Sequence, residues 1–230
     1  QQRAYSAHSG NPLTASFRRL GKTFREARQQ KHIFLSMVAF FFFIDGVYTI
    51  IGMATTYGQS LGLDSTGLLL ALLVTQIVAF PCSILFGKLS ARFETGRLIK
   101  ICIVCYTGIT IFGIFLKDLW QFWTLAVMVG MFQGGIQALS RSYLGKIIPP
   151  EQSGEYYGLM DIFGKGADAM GPAIIALATN LMGDKSVHIF GTELKGQNIG
   201  VGCLVFLFAI GFVLFLKADR LNRERKAAKV

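Results

Sequence analysis

Residues 160–182 read MDIFGKGADAMGPAIIALATNLM, an apolar stretch that holds a lysine between two aspartates. Asp161, Lys165 and Asp168 are spaced by four and three residues, which brings all three to one face of a helix. A charge at the bilayer centre costs roughly 2.5–3.5 kcal/mol on insertion scales. Three charges in one span imply that they pair, line a water-filled path, or do both. The fold therefore turns on whether this stretch crosses a membrane.

Composition says that it does. Of 230 residues, 52% are hydrophobic and only 16% charged, against about 25% charged in soluble domains. The apolar residues come in long blocks, and about 20 of them cross a bilayer. Six blocks qualify: 33–58, 66–89, 98–116, 119–147, 155–182 and 198–217. They are too long, and alternate too little, to be barrel strands. The expected fold is an all-α membrane protein of six transmembrane helices, with a basic connector over 1–32, a bundle over 33–217 and a basic tail over 218–230.

The net charge of +10 would point to nucleic acid in a soluble protein. Here the basic residues flank apolar spans and act as a topology signal. Nineteen Lys and Arg fall on one side of the six spans; Lys117, Lys185 and Lys195 fall on the other, and Lys165 lies within a span. Both termini are expected in the cytoplasm, and no nucleic-acid partner is expected. Leu13, Phe17, Leu20, Phe24 and Ala27 recur at helical spacing among basic residues. They suggest an amphipathic helix on the cytoplasmic face, with a flexible basic linker as the alternative.

Nothing in the chain suggests an enzyme, a metal or a cofactor. Cys82, Cys102, Cys105 and Cys203 all lie in apolar spans, and the Cys102–Cys105 pair has no histidine or second pair beside it. His188 falls in the polar loop 183–197 and reads as solvent-exposed. No nucleophile–base pair or phosphate loop is evident. The chain opens on QQRAYSAHSGNP, without Met, as expected of a piece of something longer.

Depth then sorts the polar residues. At 1.5 Å per residue, Asp45 lies roughly 18 Å from the inner end of the first span, and Gln137 and Lys165 roughly 15 Å from the inner ends of theirs. Three strong polar groups on three helices share the midplane, with Asp168 just beyond Lys165. Gln133, Gln137 and Arg141 form a stripe on the fourth span, and Thr75 and Gln76 mark the second. Arg141, about 9 Å deep, can snorkel inward, and Asp161 sits nearer the cytoplasm. A midplane substrate or ion site built from Asp45, Gln133, Gln137, Lys165 and Asp168 is one reading, with Arg141 and Asp161 at a cytoplasmic gate. A buried ion cluster that only fixes packing is the other, in a non-transporting receptor or scaffold. Gly130 and Gly134 make a GxxxG for close helix approach, and Pro81 and Pro172 invite kinks.

The loop GKLSARFETGRLIK, residues 87–100, resembles the loop signature of the major facilitator superfamily. Gly87, Arg92, Gly96 and Arg97 match; Ala91 stands where the signature has an acid, and Glu94 is the nearest acid. IDGVYTI at 44–50, and the stretch from Gly134 to Pro172, resemble the vacuolar amino-acid effluxer family of autophagy and its bacterial relatives. Gln137, Ser140, Arg141, Ser142, Pro149, Gly158, Lys165, Gly171 and Pro172 carry that match. The resemblance implies the C-terminal six-helix half of a twelve-helix secondary transporter, itself a 3+3 inverted repeat, working by alternating access. Its expected partners are membrane lipid, the N-terminal half or a homodimer mate, and a small polar solute, amino acids and coupling protons among the candidates. A bacterial inner membrane is the expected location. Lys165 would serve either as counter-ion to the aspartates or as anchor for a substrate carboxylate.

Overall fold

The computed structural model describes residues 12–183, 187–189 and 192–228. Residues 1–11, which include Arg3, lie outside them, as do the side chains of Leu13, Phe17, Leu20, Arg18, Arg19 and His188. The described elements are α1 (Pro12–Gln29), α2 (Lys31–Ser60), α3 (Ser65–Arg92), α4 (Thr95–Ile114), α5 (Leu119–Ile147), α6 (Ser153–Ala167), α7 (Met170–Met182) and α8 (Gly196–Ala227). A 3₁₀ turn at Pro150–Gln152 precedes α6. A short antiparallel hairpin, β1 (Val187–Ile189) and β2 (Thr192–Leu194), joins α7 to α8. Five helices, α2 to α5 and α8, are long and apolar enough to cross a membrane.

The expected span 155–182 is not one helix. It breaks at Asp168–Ala169 into α6 and α7. Pro172 explains where. It has no N–H for the carbonyl of Asp168, four residues back, and its ring presses against that carbonyl. The ladder restarts one residue on, where Ala173 N donates to Ala169 O at 3.4 Å. Pro81, by contrast, sits inside a continuous α3. The expected tail also differs: α8 runs on to Ala227, with Ala218, Asp219 and Asn222 buried. The basic residues of that region are therefore carried on a helix rather than a loose end.

Helix α2 is central. It packs along α8 over most of its length and touches α3 to α7 as well. The α3–α5 pair forms one flank, and α4 joins α5 to α8. Lipid tails give no hydrophobic drive between helices, so close van der Waals fit does the work. Gly130 and Gly134 supply it on α5: a Cβ on Gly130 would sit 2.6 Å from Thr75 O, and one on Gly134 2.7 Å from Ser83 Cβ. Thr75 bonds across the same seam, its hydroxyl donating to Ala126 O at 3.2 Å as well as to Ala71 O at 3.0 Å. Thr75 is thus interhelical glue. Outward faces are apolar, as at Leu69, Ile77 and Phe80 on α3 and Phe206 on α8.

Helix α1 lies against the start of α6. The Thr23 hydroxyl donates to Glu155 Oε2 at 2.6 Å, and Gln152 Nε2 to Glu26 Oε2 at 3.1 Å. Phe24 stacks on Phe163 of α6 at 6.4 Å.

Gly130→Ala should lower the thermal unfolding midpoint in detergent, because overfilling a tight contact costs about 1–3 kcal/mol. Gly108→Ala, where nothing lies within 4 Å of an added Cβ, should not lower it.

Candidate functional site

The break between α6 and α7 exposes backbone N–H groups, because the first turn of a helix has no intrahelical acceptors. Asp45 of α2 answers one of them. Its Oδ1 accepts the Gly171 N–H at 3.0 Å, and the whole side chain is buried. A carboxylate at a helix N-terminus is also favoured by the aligned peptide dipoles. One turn along α2, Thr49 lies against Gly171, where an added Cβ would collide with its hydroxyl. Asp45 Oδ2 and Thr49 Oγ1 are both buried and have no hydrogen-bond partner among the described residues.

Lys165 and Asp168 face the other way. Both are exposed on this chain, as is Asp161. A polar cavity of ≈ 230 Å³ opens between α2, α5 and α6, lined by Phe40 and Tyr48 from α2, Gln137 and Arg141 from α5, and Met160, Asp161, Gly164 and Lys165 from α6. Gly164 supplies a wall without a side chain. At one end Arg141 Nη2 meets Asp161 Oδ1 at 2.8 Å, and the Tyr157 hydroxyl donates to Arg141 O at 3.2 Å. Both ion-pair partners are more than half exposed, 59% and 51%, so the pair adds little to stability.

That pairing bears on Lys165. Asp161, the nearest acid in its own helix, is engaged by Arg141, and Lys165 makes no ion pair among the described residues. Its ammonium can therefore bond to whatever enters the cavity.

The structure thus brings together Gln137, Lys165, Arg141 and Asp161. It turns Asp45 to the first turn of α7, and sets Asp168 at the end of α6 as its C-cap. Gln133 does not line this cavity; its Oε1 is buried without a partner among the described residues. Tyr48 joins the site without having been singled out, although it follows Asp45 by three residues, a helical spacing that signals a neighbouring face.

The loop motif divides too. Gly87 and Arg92 are exposed at the end of α3. Gly96 is buried: a Cβ there would lie 2.6 Å from Asp219 Oδ1 of α8. Arg97 pairs with Glu94 at 2.9 Å, and Arg223 of α8 pairs with the same Glu94 at 2.7 Å. Glu94 therefore ties the loop to α8. Asp219, Tyr143 and Lys100 complete that junction and were not anticipated, because only tertiary packing brings α8 to the loop.

Comparison with known proteins matches residues 2–226 to the family described as vacuole effluxer Atg22 like. The MFS-type transporter YxiO of Bacillus subtilis (strain 168), an uncharacterized protein, is 42% identical over 213 residues, covering 93% of this chain and 47% of its own. Autophagy-related protein 22 of Coccidioides immitis (strain RS) is 28% identical, covering 90% of this chain and 35% of its own. Autophagy-related protein 22-1 of Penicillium rubens is 26% identical, with 94% and 37% covered. The chain thus spans about half the length, or less, of these relatives.

Asp45→Asn retains an acceptor for the Gly171 N–H and should leave the unfolding midpoint near that of the native protein. Asp45→Ala strands that N–H and should cost about 1–3 kcal/mol, read as a lower midpoint in detergent.

Proposed function

The chain belongs to the Atg22-like vacuole effluxer family, and from that premise we propose that it is the C-terminal half of a secondary transporter for a small polar solute. Membership sets it in a transport family rather than an enzyme family. In this reading α6 and α7 together make the fifth span and α8 the sixth, giving the six-helix half of a major-facilitator fold. The partner is an N-terminal half, or a second copy, closing over the exposed face of α6. The excess of Lys and Arg at one end favours cytoplasmic termini, and the bacterial relative favours a bacterial inner membrane.

The observation that carries the reading is Lys165, an unpaired ammonium on the wall of a polar intramembrane cavity. A cation so placed is costly unless it meets an anion or water. A solute carboxylate meets that need, with Gln137 and Tyr48 as hydrogen-bonding neighbours. Asp168, three residues along, suits the ammonium of a zwitterion, which makes amino acids the leading solutes. The Arg141–Asp161 pair closes the cytoplasmic end, and its exposure makes it easy to open. Alternating access then consists of the two halves rocking about the cavity while this pair forms and breaks. Asp168 and Asp45 are the carboxylates able to carry a coupled proton. Asp168 stands at the end of α6 as its C-cap, and Asp45 lies against the first turn of α7.

The test is uptake by the full-length protein reconstituted in liposomes, with each amino acid offered in turn. Lys165→Ala should reduce uptake of the transported solute roughly tenfold or more, the loss expected for a charge-assisted hydrogen bond, with its unfolding midpoint kept. Uptake by Lys165→Ala equal to the native rate would sink the site assignment. No flux of any solute by the native protein would instead favour the receptor or scaffold reading.

Arg141→Ala should leave stability within about 1 kcal/mol, as for exposed ion pairs. It should nevertheless raise solute leak down a gradient, measured as efflux from loaded liposomes.

A further inference from the structure

Away from the solute cavity, the ends of α4, α5 and α8 that lie with the start of α2 enclose a second polar cavity of ≈ 200 Å³. Its buried acid is Asp219. Asp219 Oδ2 lies 2.9 Å from Lys100 Nζ and 3.2 Å from Arg223 Nη2, and Oδ1 accepts from the Tyr143 hydroxyl at 3.3 Å. The other acid on the wall, Glu94, is engaged by Arg97 and Arg223. Both carboxylates are therefore satisfied before the remaining cations are counted. Lys146 lines the same space, and its ammonium donates to a neutral acceptor, Thr95 Oγ1, at 2.7 Å. Lys226 lines it as well and makes no ion pair among the described residues. Five cations in one connected cluster thus face two carboxylates.

Like charges at this spacing repel in proportion to how little water screens them. An anion seated among them would relieve that repulsion and gain charge-assisted hydrogen bonds. Phe93, 58% exposed, stands on the rim of the cavity. A phenyl ring there suits the apolar part of a lipid and contributes nothing to a bare ion. Basic pockets between transmembrane helices on the cytoplasmic side are the places where acidic headgroups bind.

We propose that this cavity binds a phosphate-bearing anion, the headgroup of an acidic phospholipid, through Lys146, Arg223 and Lys226. The bound headgroup would lock α4, α5 and α8 together at one membrane face. Inorganic phosphate carries the same chemistry and is the alternative source. The proposal goes beyond the transport reading and stands apart from the solute.

The test uses the full-length protein in nanodiscs of phosphatidylcholine, with and without phosphatidylglycerol, and in detergent with and without inorganic phosphate. Phosphatidylglycerol should raise the unfolding midpoint of the native protein by several degrees. Lys146→Gln with Lys226→Gln should abolish that rise. Lys88→Gln with Lys217→Gln, two exposed lysines outside the cavity, should keep it. Lys226→Gln alone, at an exposed position in the last turn of α8, should already show part of the loss. A rise with inorganic phosphate but not with phosphatidylglycerol, lost in the Lys146 and Lys226 double variant, would support the site and assign the free ion as its source. Two results overturn the proposal: a native midpoint that responds to neither, or a Lys88 and Lys217 variant that loses the response as fully as the Lys146 and Lys226 variant.

Discussion

The hydrogen bond from the Gly171 N–H to Asp45 is the constraint on which the rest of the candidate site depends. A helix interrupted away from water leaves donors and acceptors that its apolar surroundings cannot satisfy. Such a break persists only where protein or trapped water supplies the missing partners. Asp45 does this from a neighbouring helix, with a buried carboxylate held against the first turn of α7. Gly171 allows the approach, since any side chain there would run into Thr49. With the break in place, α6 can end at Asp168 and turn Lys165 toward the cavity between α2 and α5.

Much of this was legible in the sequence, for identifiable reasons. Apolar block length gave α2 to α5 and α8 to within a few residues of their ends, except at α8, where a basic helix end reads in sequence like a tail. The break in 155–182 was signalled by Pro172, but it begins four residues earlier, at Asp168, because a proline disturbs the carbonyl behind it rather than its own position. Depth along each span puts Gln137 level with Lys165, and both line one cavity. It could not tell which way a side chain points around its helix. Asp45 shares their level, yet its carboxylate is turned to the α7 backbone. Gln133 sits one turn from Gln137 on the same helix but does not reach the cavity. Azimuth is fixed by packing partners, and a single chain read in one dimension does not carry it.

The same limit explains the α4–α5–α8 junction. Gly96 and Arg97 were visible as a loop signature, but Asp219, which packs on Gly96, and Arg223, which shares Glu94 with Arg97, lie more than a hundred residues away on α8. Glu94, the acid nearest to Ala91, holds Arg97 and Arg223 at once. The result is two polar clusters of different character. One surrounds a cavity with an unpaired lysine; the other is a crossed network that fastens three helices at one membrane face.

The strength of the contacts differs on the two sides of the Asp168–Ala169 joint. Helix α7 is held by close backbone approach: an added Cβ on Gly200 would lie 2.9 Å from Ile175 Cα, and one on Gly196 2.9 Å from Thr179 Cα. These are contacts that cannot slide without a collision, and the buried Asp45 bond adds to them. Helix α6 is held toward α5 by the exposed Arg141–Asp161 pair and the Tyr157 hydroxyl, and toward α1 by two side-chain hydrogen bonds near its start. Exposed polar links exchange with water at little cost, whereas interlocked glycine seams do not. On the α6 side of the joint, the side that carries Asp161 and Lys165, these polar links are the contacts that open most cheaply, while Tyr156, Leu159 and Met160 keep α6 packed in the core. The Asp45 cap and the cavity wall thus rest on different contacts, which separates the residue that maintains the break from the residues that line the cavity.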